Sequence, residues 1–161
     1  MKIIEYEAKY LADVRNLLTE LNEYIVSIDK DNLEITHQDY HEKMALVDLT
    51  KVNDNDGKCY LAIEDNKVIG LIMGIIRQYD EYDCLDDKCP KEGEIIELIV
   101  TKKIRSQGVG KALMEKIETY FKEVGCEYII IDVFAYNENA IKFYDKLGYH
   151  PRMHTNIKKI T

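Results

Sequence analysis

The chain has 161 residues, 46% hydrophobic and 32% charged, with a net charge of −8, which suits one ordinary domain, residues 1–161, and excludes a disordered chain. The acidic balance speaks against a phosphate-backbone footprint, hence against nucleic acid as a partner, and it would repel an anionic membrane leaflet. No run approaches the ~20 apolar residues needed to span a bilayer, and no signal-peptide core follows Met1, so a cytoplasmic protein is expected.

Residues 2–7 alternate as a first strand, and residues 8–24 follow a helical period with Leu11, Val14, Leu18 and Leu21 on one face. Residues 34–50 read as a second, less regular helix, closed by a turn cluster from Asn53 to Gly57. Two strands follow, 58–64 and 67–77, with Asp65 and Asn66 between them as a tight hairpin turn. Residues 78–93 form an acidic loop broken by Pro90 and Gly93. Residues 94–101 make a strong strand, 109–124 an amphipathic helix stopped by Gly125, and 128–134 a nearly continuous apolar strand of the kind covered on both faces. Asn137 caps a short helix over 138–147 that ends at Gly148, and residues 153–160 read as a last strand carrying Met153, Ile157 and Ile160. The strand–helix–strand unit 94–134 joins parallel neighbours, whereas 58–101 is a meander. The fold class is therefore α/β, with a mixed central sheet and helices on both faces.

Cys59, Cys84, Cys89 and Cys126 are expected as free thiols in a reducing compartment. None has metal-ligand spacing, and His37 and His41, four apart on a helix, read as solvent-facing rather than as a metal pair. No metal site is expected.

The segment after the strand 94–101 carries the chemistry. Lys102, Lys103, Arg105 and Lys111 concentrate positive charge on an acidic chain, and Gly108 and Gly110 open the helix. Unpaired amides at a helix start, together with the helix dipole, form an anion site, and glycine lets phosphate oxygens come close. A P-loop would need glycine at 103 and Ser or Thr at 112, where Lys103 and Ala112 stand. A dinucleotide fingerprint would need glycine or alanine at 113, where Leu113 stands. A purely structural turn remains the alternative on these residues alone.

Asn137, Ala140, Tyr144, Gly148 and Tyr149 follow the next strand. With Arg105, Gly108 and Gly110 they fit two motifs, Arg/Gln-x-x-Gly-x-Gly/Ala and Asn-x-x-Ala-x-x-x-Tyr before Gly-Phe, with Tyr149 in place of the phenylalanine. On these residues the sequence resembles the GNAT superfamily of N-acetyltransferases, closely over about 94–150 and only in element order before that.

The resemblance implies a GNAT-like fold and acetyl-CoA as co-substrate. It places the diphosphate of coenzyme A on Arg105, Ser106, Gln107, Gly108, Val109, Gly110 and Lys111. The pantetheine arm would lie along Leu98, Ile99 and Val100, between that strand and a splayed neighbour, with Asn137 either a cap, a cofactor contact or both. A backbone amide around 98–100 would polarise the thioester carbonyl. Tyr144 corresponds to the general acid. Glu97, or else Glu94, would accept the amine's proton, and three residues apart they face opposite ways unless a bulge intervenes. Asp132 stays open between a substrate contact and a polar edge. The expected reaction is direct attack in a ternary complex by the primary amine of a small molecule. The acidic loop points to a cationic one, of polyamine or aminoglycoside kind. A peptide N-terminal amine as acceptor, or a non-catalytic acyl-CoA-binding module, are the alternatives. A homodimer is consistent with the family.

Overall fold

The computed structural model describes residues 1–160. Five strands, β1 (Lys2–Glu5), β2 (Lys58–Glu64), β3 (Lys67–Ile76), β4 (Glu92–Val100) and β5 (Tyr128–Ile131), form one sheet in the order β1-β2-β3-β4-β5. The first three pairings are antiparallel and β4–β5 is parallel. Helices α1 (Leu11–Ile28) and α2 (Tyr40–Asp54) cover one face; α3 (Val109–Glu123) and α4 (Glu138–Lys146) cover the other. This is the mixed α/β architecture expected from the chain order. Among the described residues no helix is long and apolar enough to cross a membrane.

The two cores follow from strand alternation. On β2, Tyr60 and Ala62 face α3 while Cys59, Leu61 and Ile63 face α1 and α2. Phe121, Leu113 and Ile117 of α3 are fully buried on the first side, and Val14 and Leu18 of α1 on the second. Each such side chain contributes about 1.5–3 kcal/mol on burial. Phe121 lies flat against Gly93, where a Cβ would stand 2.5–2.6 Å from the ring carbons, and against Gly74 at 2.6 Å. The hairpin turn forms as expected: Asp65 and Asn66 both take the left-handed conformation, at φ 48° and 61°.

Helix α1 runs four residues beyond its expected end, and α2 starts six residues late. Asp29 accounts for the second shift, because its carboxylate accepts the amides of Asp31, Leu33 and Glu34 and winds the chain into a turn that delays the next helix. Two expectations fail. Residues 153–160 form no strand: Met153, Ile157 and Ile160 are exposed, in a segment without ladder partners. Met153 and Ile157 could share a strand face, but the step of three puts Ile160 on the other, so no continuous apolar face forms. The cysteines are not all free. Cys84 and Cys89 form a disulfide with Cα atoms 5.5 Å apart, while Cys59 and Cys126 remain thiols. A short 3-10 turn at Asp83–Leu85 and the left-handed Cys89 fold the loop back on itself, which brings the two sulfurs together.

Candidate active site

Strands β4 and β5 pair from Glu92/Tyr128 to Ile95/Ile131 and then part. The cause is local. Between Met73↔Glu97 and Gly74↔Ile95 the β3–β4 register slips by one residue, so Ile96 is a bulge and β4 bends there. Beyond the last paired rung the chain after β5 leaves the sheet, and alternate backbone groups of β4 on that side lack a strand partner. A cavity of about 300 Å³ occupies the gap. Ile95 to Leu98, Ile131 to Phe134, Asn137, Ala140 and Tyr144 wall it, together with Leu21, Asn22 and Ile25 of α1, Glu34 and Tyr40.

The bulge brings the two glutamates to one side of the sheet. Glu94 and Glu97 pair with Ile75 and Met73, which share one face of β3, so both glutamates point to the same side of the sheet. Only Glu97 reaches the cavity; Glu94 does not line it. Burial, and then the charge of Asp48, push the Glu97 carboxyl up to about 8, with Lys51 opposing. Tyr144 of α4 lines the same cavity and is 9% exposed. Burial first, and the Glu97 charge second, raise its phenol above the ordinary range. Its ring packs edge-on between Phe143 and Tyr149, at 5.2 and 5.8 Å between centroids, which fixes its direction. A carboxyl group poised as acceptor and a phenol held protonated, in one cavity, suit proton transfer in both directions.

At the other end of the gap Ser106 and Gly108 take left-handed conformations, at φ 68° and 83°, and turn β4 into α3. The amides that open α3 have no intrahelical partner; Ala112 is the first to pair, with the Gly108 carbonyl at 3.0 Å. A Cβ at Gly108 would meet nothing within 4 Å, so the turn is open outward, whereas Gly110 lies against Phe143 of α4. Arg105 donates from Nε to the Val100 carbonyl at 2.9 Å and lies over the Tyr24 ring at 5.3 Å. Lys111 is exposed, 3.7 Å from Glu115. Asn137 does cap α4, accepting the Ala140 amide at 3.2 Å, and its oxygen also accepts from Tyr24 at 3.4 Å.

The structure adds residues that sequence reasoning missed. Glu20 of α1 accepts the Lys102 amide at 2.8 Å and the Thr101 hydroxyl at 3.1 Å, clamping the start of the basic turn. Tyr40 lines the cavity, its phenol pushed up to about 12 by burial and then by Glu97 and Asp48. Asp48 is buried behind Glu97, and its signal was present in the sequence: an acidic residue within the apolar stripe Ala45, Asp48, Val52 of a helix. Asp132, left open above, lines the cavity. The acidic loop 78–91 does not. His41 shares a hydrogen bond with the Thr19 hydroxyl, and His37 accepts the Asp39 amide.

The acetyltransferase (GNAT) family model matches residues 14–149. The chain belongs to this family. An uncharacterised N-acetyltransferase of Methanocaldococcus jannaschii is 33% identical over 94 residues, 58% of this chain and 53% of that protein, so the match spans about half the length of that curated relative. In structure, a tetramutant of the BH1408 protein of Bacillus halodurans superposes with a TM-score of 0.87 at 20% identity, covering 99% of this chain and 100% of that one. The aminoglycoside 6'-N-acetyltransferase AAC(6')-IG of Acinetobacter haemolyticus superposes at 0.71 with 18% identity, covering both chains fully. GNAT enzymes take their acyl group from acetyl-CoA. The residues here fit that group: the open left-handed turn at Gly108, the free amides of α3 and the gap between β4 and β5 would otherwise have no occupant.

Proposed function

We propose that the chain transfers the acetyl group of acetyl-CoA to the primary amine of a cationic small molecule, by direct attack in a ternary complex. The observation that carries this reading is that Glu97 and Tyr144 face one cavity where β4 and β5 part. In this reading the turn from Arg105 to Lys111 holds the diphosphate, the backbone at Leu98, Ile99 and Val100 pairs with the extended arm, and Asn137 stands across the gap. Acetyl-CoA supplies the acyl group as a thioester. Glu97 takes a proton from the acceptor's ammonium, which leaves a neutral amine nucleophile. A backbone amide near Leu98 polarises the carbonyl; as the C–S bond breaks, Tyr144 gives its proton to the sulfur and takes back the one the nitrogen sheds on becoming an amide. Glu94, outside the cavity, has no part in these steps.

The cationic acceptor is supported by the cavity's own carboxylates, Glu34 and Asp132, rather than by the acidic loop. The likeness in fold to an aminoglycoside acetyltransferase is consistent with it. Thiol release from acetyl-CoA, followed across polyamines, aminoglycosides, neutral amines and peptides, tests the reading. Cationic amines are expected to turn over, with kcat/KM falling as salt rises. Turnover confined to peptides would move the acceptor to an N-terminal amine. Binding of acetyl-CoA without release for any amine would leave only a binding module.

A further inference from the structure

Asp48 lies in the buried stripe of α2 between Ala45 and Val52 and is 1% exposed. That stripe packs in one cluster with Met73, whose cross-strand partner on β4 is Glu97. One oxygen of Asp48, Oδ2, has no hydrogen-bond partner; the other, Oδ1, lies 3.7 Å from the Lys51 ammonium. An unpartnered carboxylate oxygen in a core is costly, and an apolar residue would fill the position as well as Ala45 and Val52 fill theirs. The same helix carries Tyr40 into the cavity.

We propose that Asp48 is a positioning residue that acts on the acceptor amine through Glu97, its buried carboxylate on α2 facing the strand face that carries Glu97. This inference rests on the reading of Glu97 as the base. The proton balance is simple: an ammonium N–H bond breaks, the proton bonds to Glu97, and the amine keeps the electron pair. Asp48 gains and loses nothing. The charged and titratable groups around Glu97 are Asp48, Lys51 and Tyr40 on α2, Tyr144 on α4, and the cavity carboxylates Glu34 and Asp132. Of these only Lys51 is a cation, and it opposes Asp48 at close range.

The two residues therefore make opposite predictions. A carbon-13 NMR titration of the Glu97 carboxyl is run beside the pH profile of kcat/KM for Asp48→Asn and Lys51→Met. Asp48→Asn is expected to move the Glu97 midpoint and the acid limb to lower pH by about one unit. Its plateau kcat/KM is expected to fall by about 3–10-fold, as a weaker base is left. Lys51→Met, on an exposed side chain, is expected to move both midpoints to higher pH. An unmoved Glu97 midpoint in Asp48→Asn overturns the proposal, whatever happens to the rate and to Lys51→Met. Should Asp48→Asn fail to fold, Asp48→Ser takes its place, and an unmoved midpoint there overturns it. The NMR midpoint is read without turnover, so a wild-type protein that acetylates no amine would sink the proposed function while the coupling is still measured.

Discussion

At Glu97 burial and a neighbouring carboxylate act in the same direction, which fixes how the free protein responds to pH. Its carboxyl is raised from 4.5 to about 8, so the folded chain binds that proton more tightly than the unfolded one. The corresponding stability is fully present below the unfolded value near 4.5 and is lost as pH rises through about 8. Glu97→Gln removes the cost of charging a buried acid, and thermal melts at pH 9 are expected to show a higher Tm than wild type, by about 2–4 °C for each kcal/mol recovered. The same variant should abolish the acid limb in kcat/KM, which rises towards about 8 in wild type. Tyr144→Phe keeps the ring packing between Phe143 and Tyr149. It should lower kcat by about 10²–10⁴ with little change in acetyl-CoA affinity, as measured by calorimetry against steady-state rates. Tyr144 was legible in the sequence because its motif spacing is local. Glu97 was preferred to Glu94 and a bulge allowed for, but where the bulge falls is a property of how two strands pair and leaves no mark in composition. Asp48 went unread, although an acid within the stripe Ala45, Asp48, Val52 is a misfit on an apolar face; nothing local shows what it faces.

At the scale of elements, close approach sets the demands. Phe121 of α3 reaches the sheet only because Gly93 and Gly74 offer no Cβ. Gly93→Ala pushes a methyl group into a ring that has no free direction to move, and chemical denaturation should show a loss of about 1–3 kcal/mol. Gly108→Ala meets no atom but must hold φ 83°, a strain of about 1–2 kcal/mol, and it places a methyl group on the face of the turn assigned to the diphosphate. A raised KM for acetyl-CoA with a smaller change in kcat is expected. Hairpin and helix ends carried plain signals in Asp65, Asn66, Asn137 and Gly125. The tail misled, because three isolated apolar residues in 153–160 resemble a strand only if their spacing is ignored. The Cys84–Cys89 bond was hidden for a related reason: the loop's fold, not the spacing of the two residues, brings them within reach.

Across the whole molecule, one buried acid outside the site ties distant segments together. Glu92, 2% exposed at the start of β4, accepts from Tyr79 and lies 3.3 Å from Arg77 and 3.8 Å from Arg152. Arg152 also reaches Asp87, so the loop 78–91 and the tail share an anchor at the end of the sheet away from the cavity. Arg77→Ala leaves Glu92 with less compensation and should destabilise the fold by about 1–3 kcal/mol, read by denaturant titration. The cavity side should be untouched, with KM for both substrates unchanged. The order of elements was enough to anticipate this division of the sheet, but the anchor was not, since its members come from three separate stretches of chain.

The parting of β4 from β5 leaves a rung of the sheet for a visitor to complete. Acyl-CoA would then serve the chain as a conditional scaffold as well as a reactant. At 100 times its dissociation constant it would add about 2.7 kcal/mol to the folded state. Hydrogen exchange should slow at Ile96 to Val100 and at Val109 to Lys111 when coenzyme A is added, and at little else. Without coenzyme A those amides should exchange faster and the empty chain should be the more readily cleaved by added protease.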